Sequence, residues 1–176
     1  MKWIEWILTK LVAFAGLVGL ACVVLMMVHI VCDVLGRYLF NMPVEGTITI
    51  VSNYYMVILA FGSLAVSEAR DANISVEIVS DLLPRNVQPS LTGLASLIAV
   101  GAFSLLAVRG WIEASDKFSS GAALQQGIVT IPIWPSYFAV PLGCGLMALA
   151  SAWKLVCLIA GRPFAISKPD PEAFNE

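Results

Sequence analysis

The length, composition and charge of this chain exclude most classes of soluble protein. It has 176 residues, of which 59% are hydrophobic and 12% are charged, whereas soluble domains carry about 25% charged residues. Twelve acidic against ten basic side chains give a formal net charge of -2, which offers no basic surface for nucleic acid phosphates. We therefore expect a membrane protein with several spans, almost no soluble module and no nucleic-acid partner.

The four cysteines and the single histidine indicate no redox or metal chemistry. Cys22, Cys32, Cys144 and Cys157 lie in or beside apolar stretches without a C-x-x-C pair, so we interpret them as small packing residues. His29 is the only histidine, which excludes a bis-histidine haem site. We expect no catalytic residue, no cofactor and no metal ligand.

Four uncharged stretches predict four transmembrane helices. The shortest has 22 residues, which as a helix covers about 33 Å and suffices for a hydrocarbon core of about 30 Å. The first run is too long for the apolar core of a secretory signal and is interpreted as a retained span. The last run begins with a polar, glycine-containing loop, and Pro141 predicts a kink in the span that follows. The spans are expected at about 11–35, 46–67, 86–110 and 133–158.

An amphipathic segment separates the second and third spans. If residues 74–83 are helical, Ile74, Ile78 and Leu82 lie on one apolar arc. This predicts an interfacial helix over about 71–84, stopped by Pro84, with an irregular loop as the alternative. The predicted fold is all-α integral membrane, with four transmembrane helices plus this interfacial helix.

The distribution of basic residues predicts that both termini face the cytoplasm. Positive charge is retained on that side, and seven basic residues fall on the side of the termini against three on the other. Residues 1–10 then form an interfacial amphipathic N-terminus, residues 11–160 the membrane domain, and residues 161–176 a cytoplasmic tail. The two sets are Lys2, Lys10, Arg70, Arg85, Lys154, Arg162 and Lys168 against Arg37, Arg109 and Lys117.

The charged and aromatic residues of the spans favour structural roles. Asp33 and Arg37 lie one helical turn apart at the outer end of the first span, which predicts an ion pair. No charged residue falls in the middle of a predicted span, so the chain is not expected to move an ion by itself. Trp134 and Trp153, at opposite ends of the fourth span, predict an aromatic belt that anchors the chain in the bilayer.

Four short motifs fall in the order and spacing of one known family. They are residues 37–41 (RYLFN), 68–77 (EARDANISVE), 131–135 (IPIWP) and 140–143 (VPLG). Over roughly residues 10–160 the chain resembles the small membrane subunit (DctQ-like, or Q subunit) of tripartite ATP-independent periplasmic (TRAP) transporters.

The resemblance implies an accessory scaffold and not an enzyme. It implies a bacterial or archaeal inner-membrane protein that pairs with a large multi-span subunit and a periplasmic solute-binding protein. In that family the large subunit holds the sodium and substrate sites and moves as an elevator, organic acids are the usual cargo, and the small subunit resembles a static brace. The alternative is a self-sufficient four-helix exporter that works as a homo-oligomer. Residues expected at the interface with partner or lipid are Arg37, Glu45, Arg70, Ile74, Ile78, Leu82, Trp134 and Pro141.

Overall fold

A computed structural model of the chain describes residues 2–69 and 88–160. Within these ranges four helical segments are long and apolar enough to cross a membrane, which confirms the predicted number of spans. The third span ends at Ser119, whereas the sequence predicted an end near residue 110. The helices are α1 (Lys2–Phe40), α2 (Thr47–Ile50), a π-helix (Val51–Tyr55), α3 (Met56–Ala69), α4 (Gln88–Ser119), α5 (Trp134–Tyr137) and α6 (Ala139–Ile159).

The spans form an open layer. The first span (α1) packs on α3 of the second span, α3 packs on α6 of the fourth, and α6 packs on the third span, α4. Among the described residues α1 and α4 are not in substantial contact. The order across the layer is therefore first, second, fourth and third span, and α1 and α4 form its two edges.

A short β-hairpin lies between the third and fourth spans, so the expectation of an all-α fold is wrong at this point. Strands β1 (Ala123–Gln126) and β2 (Val129–Pro132) pair antiparallel. Gly127 opens the two-residue turn with a φ of 64°, a conformation that glycine adopts without strain. The β-branched residues of β2 also favour a strand. The segment predicted as a polar loop is thus the first strand of this hairpin.

The helical hydrogen bonding changes within two of the four spans, which the sequence did not predict for the second span. The second span contains the π-helix between α2 and α3. In the fourth span the regular hydrogen bonding lapses at Phe138, between α5 and α6, where the backbone keeps helical angles of φ -71° and ψ -21°. Pro141 has no N–H to donate to the carbonyl of Tyr137, which accounts for this lapse, and the kink expected at Pro141 stays a prediction.

Close helix contacts are made where glycine leaves room. The backbone carbonyl of Ala15 lies 3.6 Å from the position of a Cβ at Gly62. A Cβ at Gly143 would lie 2.7 Å from the carbonyl carbon of Phe61. These small residues allow α1, α3 and α6 to approach closely.

The tryptophan predicted as a belt residue at the far end of the fourth span is instead part of the core. Trp153 is 9% exposed and packs with Leu8, Val12 and Cys157, so the belt expectation is wrong for this residue. Cys22, Cys144 and Cys157 are buried, as expected of packing residues, whereas Cys32 is exposed.

Several predicted segments lie outside the described residues or continue a described helix. The predicted interfacial helix over 71–84 and the predicted tail over 161–176 lie outside the described ranges. The N-terminal residues from Lys2 onward form the first turns of α1 without a break before the first span.

Candidate functional site

Polar side chains concentrate at the two ends of the helical layer, which we name by their contents. The hairpin end contains the end of α1, the start of α2 and the β-hairpin. The Glu68 end contains Glu68 of α3 and the last turns of α6. The clusters at these two ends are the candidate functional sites of the chain.

At the hairpin end, Asp33 holds the turn after α1. The predicted ion pair is confirmed, with Nη2 of Arg37 3.1 Å from Oδ2 of Asp33. The second carboxylate oxygen of Asp33 accepts the backbone N–H of Val44 at 2.8 Å. Asp33 is 8% exposed, and its two partners satisfy both of its oxygens. The carboxylate therefore fixes the loop between the first two spans.

The β-hairpin is fastened to the second span. Oε1 of Gln126 accepts two hydrogen bonds from Thr49, from its N–H at 2.9 Å and from its hydroxyl at 2.7 Å. The hydroxyl of Tyr54, in the π-helix, donates to the carbonyl of Pro132. Gly46 has a φ of 86° and lies directly under Ile131, so a Cβ there would overlap that side chain. The hairpin thus ties the fourth span to the second.

Aromatic side chains join the third and fourth spans at the same end. Phe118 and Trp134 meet edge to face with ring centroids 4.9 Å apart, and Trp111 meets Phe138 at 5.7 Å. Aromatic pairs in this geometry are favourable beyond their buried area. Trp134 therefore packs against α4, and its role in an interfacial belt stays a prediction.

Buried charges meet at the Glu68 end. Glu68 is 3% exposed, and its Oε1 accepts the hydroxyl of Ser151 at 3.2 Å. Nζ of Lys154 lies 3.8 Å from the same oxygen. This ion pair joins the second span to the fourth, and the sequence reasoning missed it. A signal was available, since the two spans run in the same direction and end with opposite charges on the same side.

A contact between His29 and Tyr55 lies between the first two spans. His29 faces Tyr55 of the π-helix, with ring centroids 6.0 Å apart in an edge-on arrangement. Nε2 of His29 is buried without a hydrogen-bond partner among the described residues. Over residues 2–69 and 88–160, no three His, Cys, Asp or Glu side chains are grouped for metal binding. The contact between His29 and Tyr55 joins the first span to the second.

The structure brings together only part of the predicted interface set. Arg37, Glu45 and Trp134 lie at the hairpin end, with Glu45 exposed beside the hairpin turn. Pro141 lies deeper in the layer, buried against Gly110 of α4. The other four predicted interface residues lie outside the described ranges, namely Arg70, Ile74, Ile78 and Leu82.

Comparison with known proteins identifies the family. The family model described as "Tripartite ATP-independent periplasmic transporters, DctQ component" matches residues 26–161, which is most of the chain. The chain belongs to the DctQ family. No curated protein sequence matches it.

Membership in the DctQ family fixes the broad function of the chain. It is a component of a TRAP transporter, from a family of transporter components. Its four apolar helices agree with a membrane protein. The matched range contains both candidate clusters of this DctQ chain, from the Asp33 turn through to Lys154.

Proposed function

We propose that this DctQ chain is the accessory scaffold subunit of a sodium-coupled TRAP secondary transporter that imports organic acids by symport. Its partners are a large multi-span membrane subunit, a periplasmic solute-binding protein and membrane lipids. We place the assembly in a bacterial or archaeal inner membrane. The self-sufficient exporter is not favoured, because DctQ proteins are components of tripartite transporters.

The observation that carries this proposal is that charged side chains at the two ends of the layer are bound to partners within the chain. Asp33 pairs with Arg37 and with the next loop, and Glu68 pairs with Ser151 and Lys154. A group that moves an ion or solute must exchange its partners during the cycle, whereas these groups join helices of their own chain. This supports a fixed brace, with the sodium and solute sites on the large subunit.

The proposal is tested with the chain and the large TRAP membrane subunit of the same genome, purified together and reconstituted with the solute-binding protein. Sodium-dependent uptake of organic acid should require both membrane subunits. The variants Asp33→Asn, Glu45→Gln and Glu113→Gln should leave the sodium concentration for half-maximal uptake nearly unchanged. A shift of tenfold or more, about 1.4 kcal/mol, would contradict the brace.

We further propose that both termini face the cytoplasm, because the seven basic residues on their side outnumber the other three, of which Arg37 and Lys117 lie at the hairpin end and Arg109 lies within the third span. The test is impermeant thiol labelling of Lys2→Cys and Ser120→Cys in a cysteine-free background. Ser120→Cys should react from the periplasm and Lys2→Cys only after the membrane is opened. Labelling of Ser120→Cys from the cytoplasmic side alone overturns this topology.

Arg70 and the segment after it are proposed to fix the depth of the subunit and its seating on the large partner. The charge of Arg70 suits lipid phosphate, and the apolar arc of Ile74, Ile78 and Leu82 suits burial at the interface. Full burial of such a side chain contributes roughly 1.5–3 kcal/mol. Ile78→Asp should therefore lower the recovery of the intact complex in size-exclusion chromatography.

The matched control for this segment is Glu77→Gln, which changes the predicted wet face and should leave recovery unaltered. If Ile78→Asp assembles and transports like the parent, the segment is an ordinary loop. The brace then rests on the transmembrane helices.

A further inference from the structure

Arg109 of α4 is an exposed cation with no partner among the residues that the structure describes. It makes no ion pair or hydrogen bond with any described residue. The face of α4 toward α6 is marked by Gly110, which lies against Pro141. Arg109 lies on the other side, one turn after Leu105 and one turn before Ile112, which are 63% and 50% exposed. The free edge of the layer therefore carries a positive charge next to apolar side chains, while Glu113, one turn further along, is paired with Lys117.

The depth of the membrane core follows from the charged residues that bound the other three spans. Lys10 and Asp33 bound the uncharged stretch of the first span, and Glu45 and Glu68 bound that of the second. Each stretch is 22 residues, or about 33 Å of helix, which matches one hydrocarbon core. Lys154 is paired with Glu68, so the fourth span meets the same boundary at that end.

The third span is placed by its contacts with the fourth. The hairpin-end boundary lies near Trp134, at the level that tryptophan prefers. Pro141 is seven residues deeper and lies beside Gly110, so Arg109 is about 12 Å below this boundary. α4 runs on past Arg109 for about 15 Å, as far as Ser119. Arg109 therefore lies inside the membrane core, more than a third of the way across it, although the sequence placed it at the end of a span.

The depth of Arg109 in the membrane determines which anion can form an ion pair with its guanidinium. Ionisable residues inside a membrane are rare, and they pair with another group or face a polar cavity. A lipid phosphate at the boundary is farther away than an extended arginine side chain reaches. A carboxylate on a neighbouring transmembrane helix lies at the right depth, and its charge complements the guanidinium. The apolar side chains around Arg109 suit contact with such a helix.

We propose that Arg109 forms an intramembrane ion pair with an aspartate or glutamate on a transmembrane helix of the large subunit. That helix packs along the exposed edge of α4, next to Leu105 and Ile112. This inference rests on the proposed function, because it takes the larger membrane subunit as the partner. By this inference the large subunit packs against the edge of the layer formed by the third span, and not against the edge formed by the first.

The test uses the full chain co-expressed with the large TRAP membrane subunit of the same genome. Arg109→Leu should lower the amount of large subunit that co-purifies by tenfold or more, and Arg109→Lys should restore part of it. Lys117→Leu is the matched control, because Lys117 is already paired with Glu113 at 3.4 Å. The melting temperature of the purified chain should not fall with Arg109→Leu, since Arg109 makes no ion pair or hydrogen bond with the residues that the structure describes.

Site-specific photocrosslinking supplies a second measurement. Benzoylphenylalanine at position 105 should crosslink to a carboxylate-bearing transmembrane helix of the large subunit, and at position 103, on the α6 side, it should not. Normal assembly of Arg109→Leu, or crosslinks from position 105 to lipid alone, overturns the inference and leaves the proposed function standing. If the unaltered chain does not co-purify with the large subunit, the proposed function itself fails.

Discussion

Glu68→Ala should lower the free energy of unfolding of the chain by about 3–5 kcal/mol, the usual cost of removing one partner from a buried ion pair. The side chains of Glu68 and Lys154 are 5% and 16% exposed, with Nζ and Oε1 3.8 Å apart. Removal of the carboxylate leaves the Lys154 ammonium without this counter-charge in an interior position. The measurement is unfolding of the purified chain in mixed micelles, followed by far-ultraviolet circular dichroism.

Two further variants distinguish two costs. One is the cost of leaving the Lys154 charge without Glu68, and the other is the loss of the attraction between the two side chains. Glu68→Met together with Lys154→Met removes both charges, and such pairs are often replaced by apolar residues without loss of stability. Glu113→Ala removes one partner of an ion pair within the single helix α4; this pair joins no two spans, and its loss should cost at most about 1 kcal/mol. If Glu68→Ala is no worse than Glu113→Ala, the pair does not hold the second and fourth spans together.

The number of spans was predictable because it depends on the apolar length of each segment, which can be read from that segment alone. Apolar length decides whether a helix crosses the hydrocarbon core, and four such stretches are visible in the sequence. The Asp33–Arg37 pair was predictable for a similar reason, since both residues lie on one helix a single turn apart. Features that depend on one helix alone can thus be predicted without knowing how the helices pack against one another.

Features that depend on contact between distant segments were not predictable in the same way. The hydrogen bonds of Gln126 to Thr49 join residues in separate elements, and glutamine in a polar segment carries no signal for such a partner. Trp153 has the residue type and the position at the end of a span that are typical of an aromatic belt, but Leu8 and Val12 of the N-terminal turns of α1 cover it. The depth of Arg109 likewise follows from the contact of Gly110 with Pro141, which the order of residues in the chain does not reveal.

Gly143→Ala should destabilise the chain by about 1–3 kcal/mol, the usual cost of overpacking. A methyl group at this position would lie 2.7 Å from both the carbonyl carbon and the Cβ of Phe61. Backbone atoms do not yield as the end of a flexible side chain does, so α3 and α6 must move apart. The melting temperature of the purified chain, in the same detergent for every variant, measures the effect.

Gly145→Ala is the matched control, because the space beside Gly145 is open to at least 4 Å. Alanine favours a helix over glycine by up to about 1 kcal/mol, so this variant should be neutral or stabilising. Equal destabilisation by the two variants would contradict a close contact specific to Gly143.

The Gly143 contact and the Glu68 pair lie on the same interface between α3 and α6, and their effects should therefore be coupled. The two sites are about 16 Å apart along α6, a separation at which independent substitutions normally add. If Gly143→Ala separates the helices as rigid bodies, however, it also lengthens the distance between Glu68 and Lys154. Gly143→Ala combined with Glu68→Ala should then cost less than the sum of the two single variants. Strict additivity would mean that α6 bends at Gly143 and leaves the Glu68 end in place.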